Sequence, residues 1–321
     1  MNYLVFDIGG TSVKYALSDQ LGNLSHTGFF PTPGTNAKSL LQSMDDVRLR
    51  IGGKQPIDGA AVSCPGAVDP VTGVVHGTSA VPCIHGIPLR EMLSGRFGGL
   101  PVSIENDARC FAWGEQWRGV AVGKKHFTAI TIGSGIGGAM VHDGNVIHGS
   151  HLCCGEVSNF PMGDPNREGG LCQWSDYTPV NLAKRYGKVL GMHLTGKQLF
   201  ELADNGDETA AEYLDKFYYY TALGCILIQF AFDPEIIVIG GGGSARPGLL
   251  EELDEKTGKI LRDGMGYSFL KPEFVISKDA NDSNLRGRCI ACSEKKRRNR
   301  YGRIQVPSGI PVGRRLFRSS V

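Results

Sequence analysis

At 321 residues the chain is too long for one small core and suits two lobes sharing a cleft. It is 41% hydrophobic and 21% charged, and no apolar run approaches the ~18 residues of a membrane span, so a membrane protein is excluded in favour of a soluble globular one. The formal charge of +2 conceals a split: residues 288–321 hold ten Lys or Arg against Glu294 alone, leaving a body with 24 basic and 31 acidic residues. An acidic body argues against nucleic-acid binding, which needs a basic face on a folded domain. The first strand pattern begins at Tyr3 with no secretory signal before it, and nine cysteines are scattered without a repeating framework. A cytoplasmic location with reduced thiols is expected.

The chain opens on Tyr3-Leu-Val-Phe-Asp-Ile-Gly-Gly-Thr-Ser-Val-Lys-Tyr-Ala-Leu17, an apolar run, a glycine turn and a second apolar run. Phe127-Thr-Ala-Ile-Thr-Ile-Gly-Ser-Gly-Ile-Gly-Gly-Ala-Met-Val141 repeats that design without gaps. Each reads as strand, tight loop and returning strand. A single glycine hairpin is usually a structural turn, but two copies about 124 residues apart point to a duplicated α/β unit with both turns facing one cleft. Backbone N–H groups in such turns form an anion-binding concavity, and glycine lets phosphate oxygens approach closely. Asp7, Ile8, Gly9, Gly10, Thr11 and Lys14 in the first segment, and Ile132, Gly133, Ser134, Gly135, Ile136, Gly137 and Gly138 in the second, are therefore candidate nucleotide-phosphate residues. Asp7 is the candidate carboxylate for Mg²⁺, held through water. Neither segment has P-loop spacing, and both lead into strands rather than helices, which sets aside a Rossmann dehydrogenase.

Between the repeats, the apolar residues 100–104 predict a strand that delivers Glu105-Asn106-Asp107 to the start of a helix over 108–117. An acid at that place is either a helix cap or a catalytic carboxylate. Further on, Trp174 and Tyr177 are either core packing or a surface for a sugar ring, and Cys153 and Cys154 read as free buried cysteines. Apolar residues at helical spacing (Leu214, Phe217, Leu223, Leu227, Phe230) predict a long helix over 208–232 feeding a strand at 235–239. Gly240 to Gly243 then opens a helix running toward Leu250, whose N-terminus makes Gly241 and Gly242 adenosine-side candidates.

Taken together these segments resemble the ROK family of bacterial sugar kinases, repressors and relatives. Asp7-Ile-Gly-Gly-Thr11-x-x-Lys14, Ser63-Cys-Pro-Gly-Ala-Val-Asp69, Glu105-Asn-Asp-Ala108, Ile132-Gly-Ser-Gly-Ile-Gly-Gly138, Gly155-Glu156 and Phe232-Asp-Pro-Glu-Ile-Ile-Val-Ile-Gly-Gly-Gly-Gly243 are similar to that family's motifs, in its order, over residues 3–287. The resemblance implies a two-lobed actin-like, ribonuclease H-like α/β fold of duplicated domains around a cleft. It divides the chain into a first lobe at 1–107, a second at 108–275, a return toward the first lobe at 276–287 and an atypical basic tail at 288–321. It implies a homodimeric, ATP- and Mg²⁺-dependent kinase acting on a small-molecule sugar. Asp107 would be the general base and Asn106 would orient the sugar. Glu156 and Asn159 would clasp sugar hydroxyls opposite Pro65, Gly66 and Ser79. Where most family kinases carry Gly-Glu-x-Gly-His and then a zinc-binding cysteine loop, this chain has Gly155-Glu-Val-Ser-Asn159 and then Cys172 alone before Pro179. Four zinc ligands are not supplied, so no zinc site is expected. This departure resembles a zinc-less branch that includes β-glucoside kinases acting on the 6-hydroxyl and some N-acetylmannosamine kinases.

A non-catalytic sugar sensor is the rival class, although the family's repressors place a helix-turn-helix before the body and here the phosphate motif begins at Asp7. From Arg288 onward the family's alanine-rich helix is replaced by basic residues without periodicity. A nucleic-acid or membrane-surface arm, a vector-derived addition and a shifted reading frame compete to explain it, and the abruptness of the break favours the last.

Overall fold

The computed structural model describes residues 1–34, 36–164, 168–267 and 270–278; the expectations for the basic tail, and for most of the return segment, lie outside these residues. The first half supplies β1 (Asn2–Ile8), β2 (Ser12–Asp19), β3 (Leu24–Pro31), α1 (Ala37–Gly52), β4 (Gly59–Cys64), β5 (Ala67–Asp69), β6 (Val74–His76), α2 (Leu89–Arg96), β7 (Val102–Asn106) and α3 (Asp107–Arg118). After it come β8 (Phe127–Ile132), β9 (Ile136–His142), β10 (Asn145–Val146), β11 (Pro161–Gly163), β12 (Leu171–Gln173), α4 (Pro179–Leu190), α5 (Gly196–Asp204), α6 (Glu208–Phe232), β13 (Ile236–Gly240), α7 (Leu249–Lys259) and β14 (Phe274–Ile276).

Both glycine turns join antiparallel strands, as their sequence requires. The first sheet has the order β3-β2-β1-β4-β7 and the second β10-β9-β8-β13-β14. In each, three antiparallel strands continue into two parallel ones, so the repeat read from the two turns extends to whole sheets. Central strands of such sheets are covered on both faces and are apolar throughout. Accordingly Leu4 and Phe6 pack with Leu40 and Met44 of α1 and Leu93 of α2, while Tyr3 and Val5 turn to the other face against Trp117 of α3. On the second sheet Phe127, Ala129 and Val238 pack against Phe111 and Ala112, also from α3. One helix thus lies between the two sheets, and its first residue is Asp107.

The parallel strands bring their C-terminal ends to one edge, where ligands bind in open α/β sheets. In register across the first sheet, Asp7 pairs with Ser63, Ser63 with Glu105 and Cys64 with Asn106. Across the second, Gly240 pairs with Thr131.

Packing and local geometry settle three local readings and correct one of them, that for the glycines after β13. Trp174 is fully buried and Tyr177 nearly so; Trp174 stacks on Phe160 and Tyr177 on Tyr220, so of the two readings core packing holds for both. The glycines after β13 form a short 3₁₀ turn, Gly242–Ala245, and α7 starts only at Leu249, because Pro247 lacks an N–H donor and biases Arg246 away from helical geometry. Leu227 and Phe230 of α6 are exposed, at 38% and 45%, since that helix is apolar on more faces than its described neighbours cover.

Gly224 of α6 makes the slot for Trp174: a Cβ there would stand 2.5 Å from the indole ring. Gly224→Ala should therefore destabilise the second lobe by roughly 1–2 kcal/mol, overpacking outweighing the gain in helix propensity. A thermal melt by circular dichroism with an unchanged or raised Tm would contradict this.

Candidate active site

The cap at the start of α3 is Asn106, not Asp107. Asn106 Oδ1 accepts from Arg109 N at 3.1 Å, while its Nδ2 donates to Gly66 O at 3.2 Å and to Asp107 Oδ1 at 3.0 Å. Asp107 Oδ1 accepts a second hydrogen bond from Ala108 N at 2.8 Å. With the capping duty held by its neighbour, the Asp107 carboxylate is oriented at the helix start and borders a cleft of about 440 Å³.

That cleft assembles most of the residues singled out from sequence. Pro65, Gly66 and Ser79 line it from the first lobe, and Asn106 and Asp107 from between the lobes. Gly133, Ser134, Gly135, Ile136, Gly137, Gly138, Glu156, Asn159 and Gly241 line it from the second. Thr78, Thr131 and Ser158, which the motifs did not single out, complete the wall. Ser79 is held in place by His85, whose Nε2 lies 2.7 Å from its Oγ.

Among the described residues lining this cleft, Asp7, Ile8, Gly9, Gly10, Thr11, Lys14 and Ile132 do not appear. Ile132 is buried beneath Gly241, where φ is +82° and a Cβ would meet the Ile132 carbonyl oxygen at 2.6 Å. The first glycine turn sits along the same sheet edge, packed against Ala80 beside Ser79. β4 separates β1 from β7, so Asp7 lies two strand spacings, roughly 10 Å, to the side of the Asp107 strand. Lys14 stands directly across the ladder from Asp7.

Gly242 belongs to an adjoining cavity of about 500 Å³ that shares Gly133 with the first. Beyond its glycines, its wall was not legible in the motifs. Arg246 lies 5.2 Å over the Phe200 ring, is gripped by both carboxylate oxygens of Asp204 at 2.5 and 2.6 Å, and donates from Nε to Tyr218 at 3.2 Å. The guanidinium holds the Asp204 carboxyl below its ordinary range. At Gly133 and Gly242 nothing occupies the space a Cβ would enter, leaving bare backbone at the junction of the two cavities. A nucleoside triphosphate fits this donor set: the Phe200 ring and Arg246 offer a stacking wall, and the bare backbone at Gly133 and Gly242 leaves room for phosphate oxygens. Magnesium bound through one carboxylate, water and phosphate oxygens is the form Asp7 could support; no group of three metal-ligating His, Cys, Asp or Glu occurs among the described residues.

The loop that carries Glu156 is set by two opposed glycines. Gly155 has φ +87°, and a Cβ on it would stand 2.7 Å from the Gly138 carbonyl oxygen, so only glycine permits the approach that presents Glu156 to the cleft. Burial pushes the Glu156 carboxyl above its ordinary value, and the nearby Arg109 charge opposes this. The expected burial of Cys153 and Cys154 is corrected: on this loop Cys153 is exposed and Cys154 half-buried.

The sign of the Glu156 shift gives a prediction. A folded value raised above the unfolded one means that Glu156 favours folding when protonated and loses this contribution as pH rises through the folded value. Glu156→Gln should thus match wild-type stability below about pH 4 and gain a few degrees in Tm as pH rises to neutrality, while raising the sugar KM. A Tm difference independent of pH would contradict the shift.

A second network missed from sequence lies behind the cleft: buried Glu105 contacts Arg109 at 3.4 Å and His148 at 2.7 Å. These partners are four and 43 residues away, and no local signal marks the longer contact.

The ROK family profile matches residues 3–295. The chain is 32% identical over 295 residues to a β-glucoside kinase of Klebsiella pneumoniae, covering 89% of this chain and 94% of that protein. It is 31% identical over 258 residues to a β-glucoside kinase of Listeria monocytogenes, covering 79% and 86% respectively. Among solved structures it is similar to a ROK family protein from Streptococcus pneumoniae in complex with sucrose, with TM-score 0.81, 29% identity, and coverage of 93% of this chain and 100% of that one.

Proposed function

The chain belongs to the ROK family, and on that premise we propose that it transfers the γ-phosphate of ATP to the 6-hydroxyl of a glucose-type sugar or β-glucoside, with Asp107 as general base. It is an ATP-dependent carbohydrate kinase of the two-lobed actin-like fold. The proposal concerns its substrate and its working residues. The observation that carries it is the Asp107 carboxylate, oriented by Asn106 and Ala108 at the helix that lies between the two sheets and opening on the cleft where the second glycine turn and Glu156 meet.

In this reading Glu156 and Asn106 hold the sugar so that its hydroxyl lies within reach of Asp107. The proton passes to the carboxylate as the oxygen attacks the γ-phosphorus, and the bond from that phosphorus to the bridging oxygen of ADP breaks. Backbone N–H groups of residues 133–138 receive the phosphate oxygens, and Phe200 and Arg246 flank the base. Asp7 is the candidate carboxylate to hold magnesium, which when bound would supply positive charge against the phosphates.

Two features support a β-glucoside. Asn159, standing where the resemblance places a histidine, is exposed at the cleft and leaves its sugar end open. Relatives of similar length are β-glucoside kinases, and a third was solved with a disaccharide. The deciding experiment is coupled ADP release over cellobiose, glucose and N-acetylmannosamine. The expected order places cellobiose first; a clear preference for N-acetylmannosamine would overturn the substrate, and sugar binding with no ADP release would favour a sensor.

A further inference from the structure

The two halves of the sugar site are tied together by side chains that do not line the cleft. Glu105, only 2% exposed, immediately precedes Asn106 and Asp107. Its Oε1 accepts from Asn106 N at 2.8 Å and from Arg109 Nη1 at 3.4 Å. Its Oε2 lies 2.7 Å from His148 Nε2; an ionised carboxylate only accepts, so His148 donates there. His148 opens the loop that ends at Glu156, and in the middle of the same loop Leu152 O accepts from Arg109 Nη2 at 2.7 Å. Within the loop, Cys154 N donates back to His148 O at 3.3 Å.

We propose that His148 is a positioning residue for the sugar: through Glu105 it fixes the loop bearing Glu156 relative to Asn106 and Asp107 without touching the substrate. The inference rests on the kinase reading and adds to it a determinant of sugar geometry. Three observations carry it. The bond to His148 is shorter than the one Glu105 makes to Arg109, 2.7 Å against 3.4 Å. Arg109 already supplies a counter-charge to the buried carboxylate, so His148 is not needed for that. Finally, His148 belongs to the mobile-prone class of element, a loop, with its side chain 29% exposed, whereas Glu105 and Arg109 belong to the rigid strand and helix that carry the base. A bond from scaffold to loop restrains the one element whose displacement would move Glu156 away from Asp107, and a displacement of about 1 Å at a reacting centre costs on the order of a hundredfold in rate.

The test compares wild type, His148→Ala and His148→Gln, using cellobiose and glucose in steady-state ADP release, with each sugar's affinity measured separately by calorimetry. The alanine variant should lower kcat/KM for sugar by about ten- to a hundredfold and weaken sugar affinity, with the KM for ATP within about twofold of wild type. The glutamine variant, whose amide can donate to Glu105, should recover to within about threefold. Thermal melts keep a folding defect apart from a positioning one: the alanine effect must persist at temperatures where the variant is fully folded. Wild-type sugar kinetics in His148→Ala, equal loss toward sugar and ATP, or a glutamine variant no better than alanine would each overturn the proposal. Absence of ADP release from wild type would instead defeat the kinase reading, and calorimetric sugar affinities of the three proteins would still decide the role of His148.

Discussion

Asp107→Asn should lower kcat by about a thousandfold while leaving sugar affinity within about tenfold of wild type. The substitution keeps an oxygen that can accept from Ala108 N, so the start of α3 and the cap made by Asn106 are retained. What is lost is the ability to take a proton from the attacking hydroxyl. A uniform binding role would instead raise KM and leave kcat near wild type, which separates a base from a sugar ligand. Steady-state ADP release and calorimetric sugar binding read the two quantities. Near-full turnover in the asparagine variant would remove Asp107 from the role of base.

The parts of this molecule that sequence made legible are those whose physics is local. Each glycine turn is flanked by apolar runs of strand length, so β1–β2 and β8–β9 could be placed from the segments alone, and the apolar spacing over 208–232 matches α6. The fate of individual side chains on those elements was less accessible. Periodicity identified Leu227 and Phe230 as members of an apolar helix but cannot state which neighbours arrive to cover it, and among the described residues both stay exposed. Likewise the spacing of Trp174 and Tyr177 favoured core over platform, but the residues that close over them, Gly224 and Tyr220 of α6, are 50 and 43 residues away in sequence.

The same limit divides the site. The cleft residues that sit in motifs, such as Gly133, Asn106 and Glu156, were found because backbone approach and carboxylate chemistry demand particular residue types at particular spacings. Arg246, Asp204 and Phe200 carry no such spacing: they meet because α5 and the turn after β13 pack side by side. Pro247 illustrates the difference in the opposite direction. A residue with a strictly local effect, it moves the start of α7 to Leu249 and leaves a short 3₁₀ turn of glycines where a longer helix was expected.

Arg109→Met is the substitution with the largest expected effect on stability, and it links the fold to the site. Arg109 is 1% exposed and serves Glu105, Leu152 O and the field around Glu156. Methionine fills much of its volume but leaves a buried carboxylate short of its arginine and a carbonyl short of its donor. Breaking a buried pair from one side costs about 3–5 kcal/mol, which for a domain of this size corresponds to a fall in Tm of roughly 10 °C. Adding Glu105→Gln to the same chain removes the stranded charge, so the double variant should be more stable than Arg109→Met alone; additive losses in a double-mutant cycle would show that charge pairing is not the cause. Glu156 supplies an independent reading. Because Arg109 is what opposes the upward push of burial on its carboxyl, losing the arginine raises Glu156 further, and the ionised form is then given up at a higher pH. Sugar affinity of Arg109→Met should accordingly decline at higher pH than that of wild type as the solution is acidified. Superimposable pH profiles would place Arg109 in the architecture alone, with no electrostatic hold on Glu156.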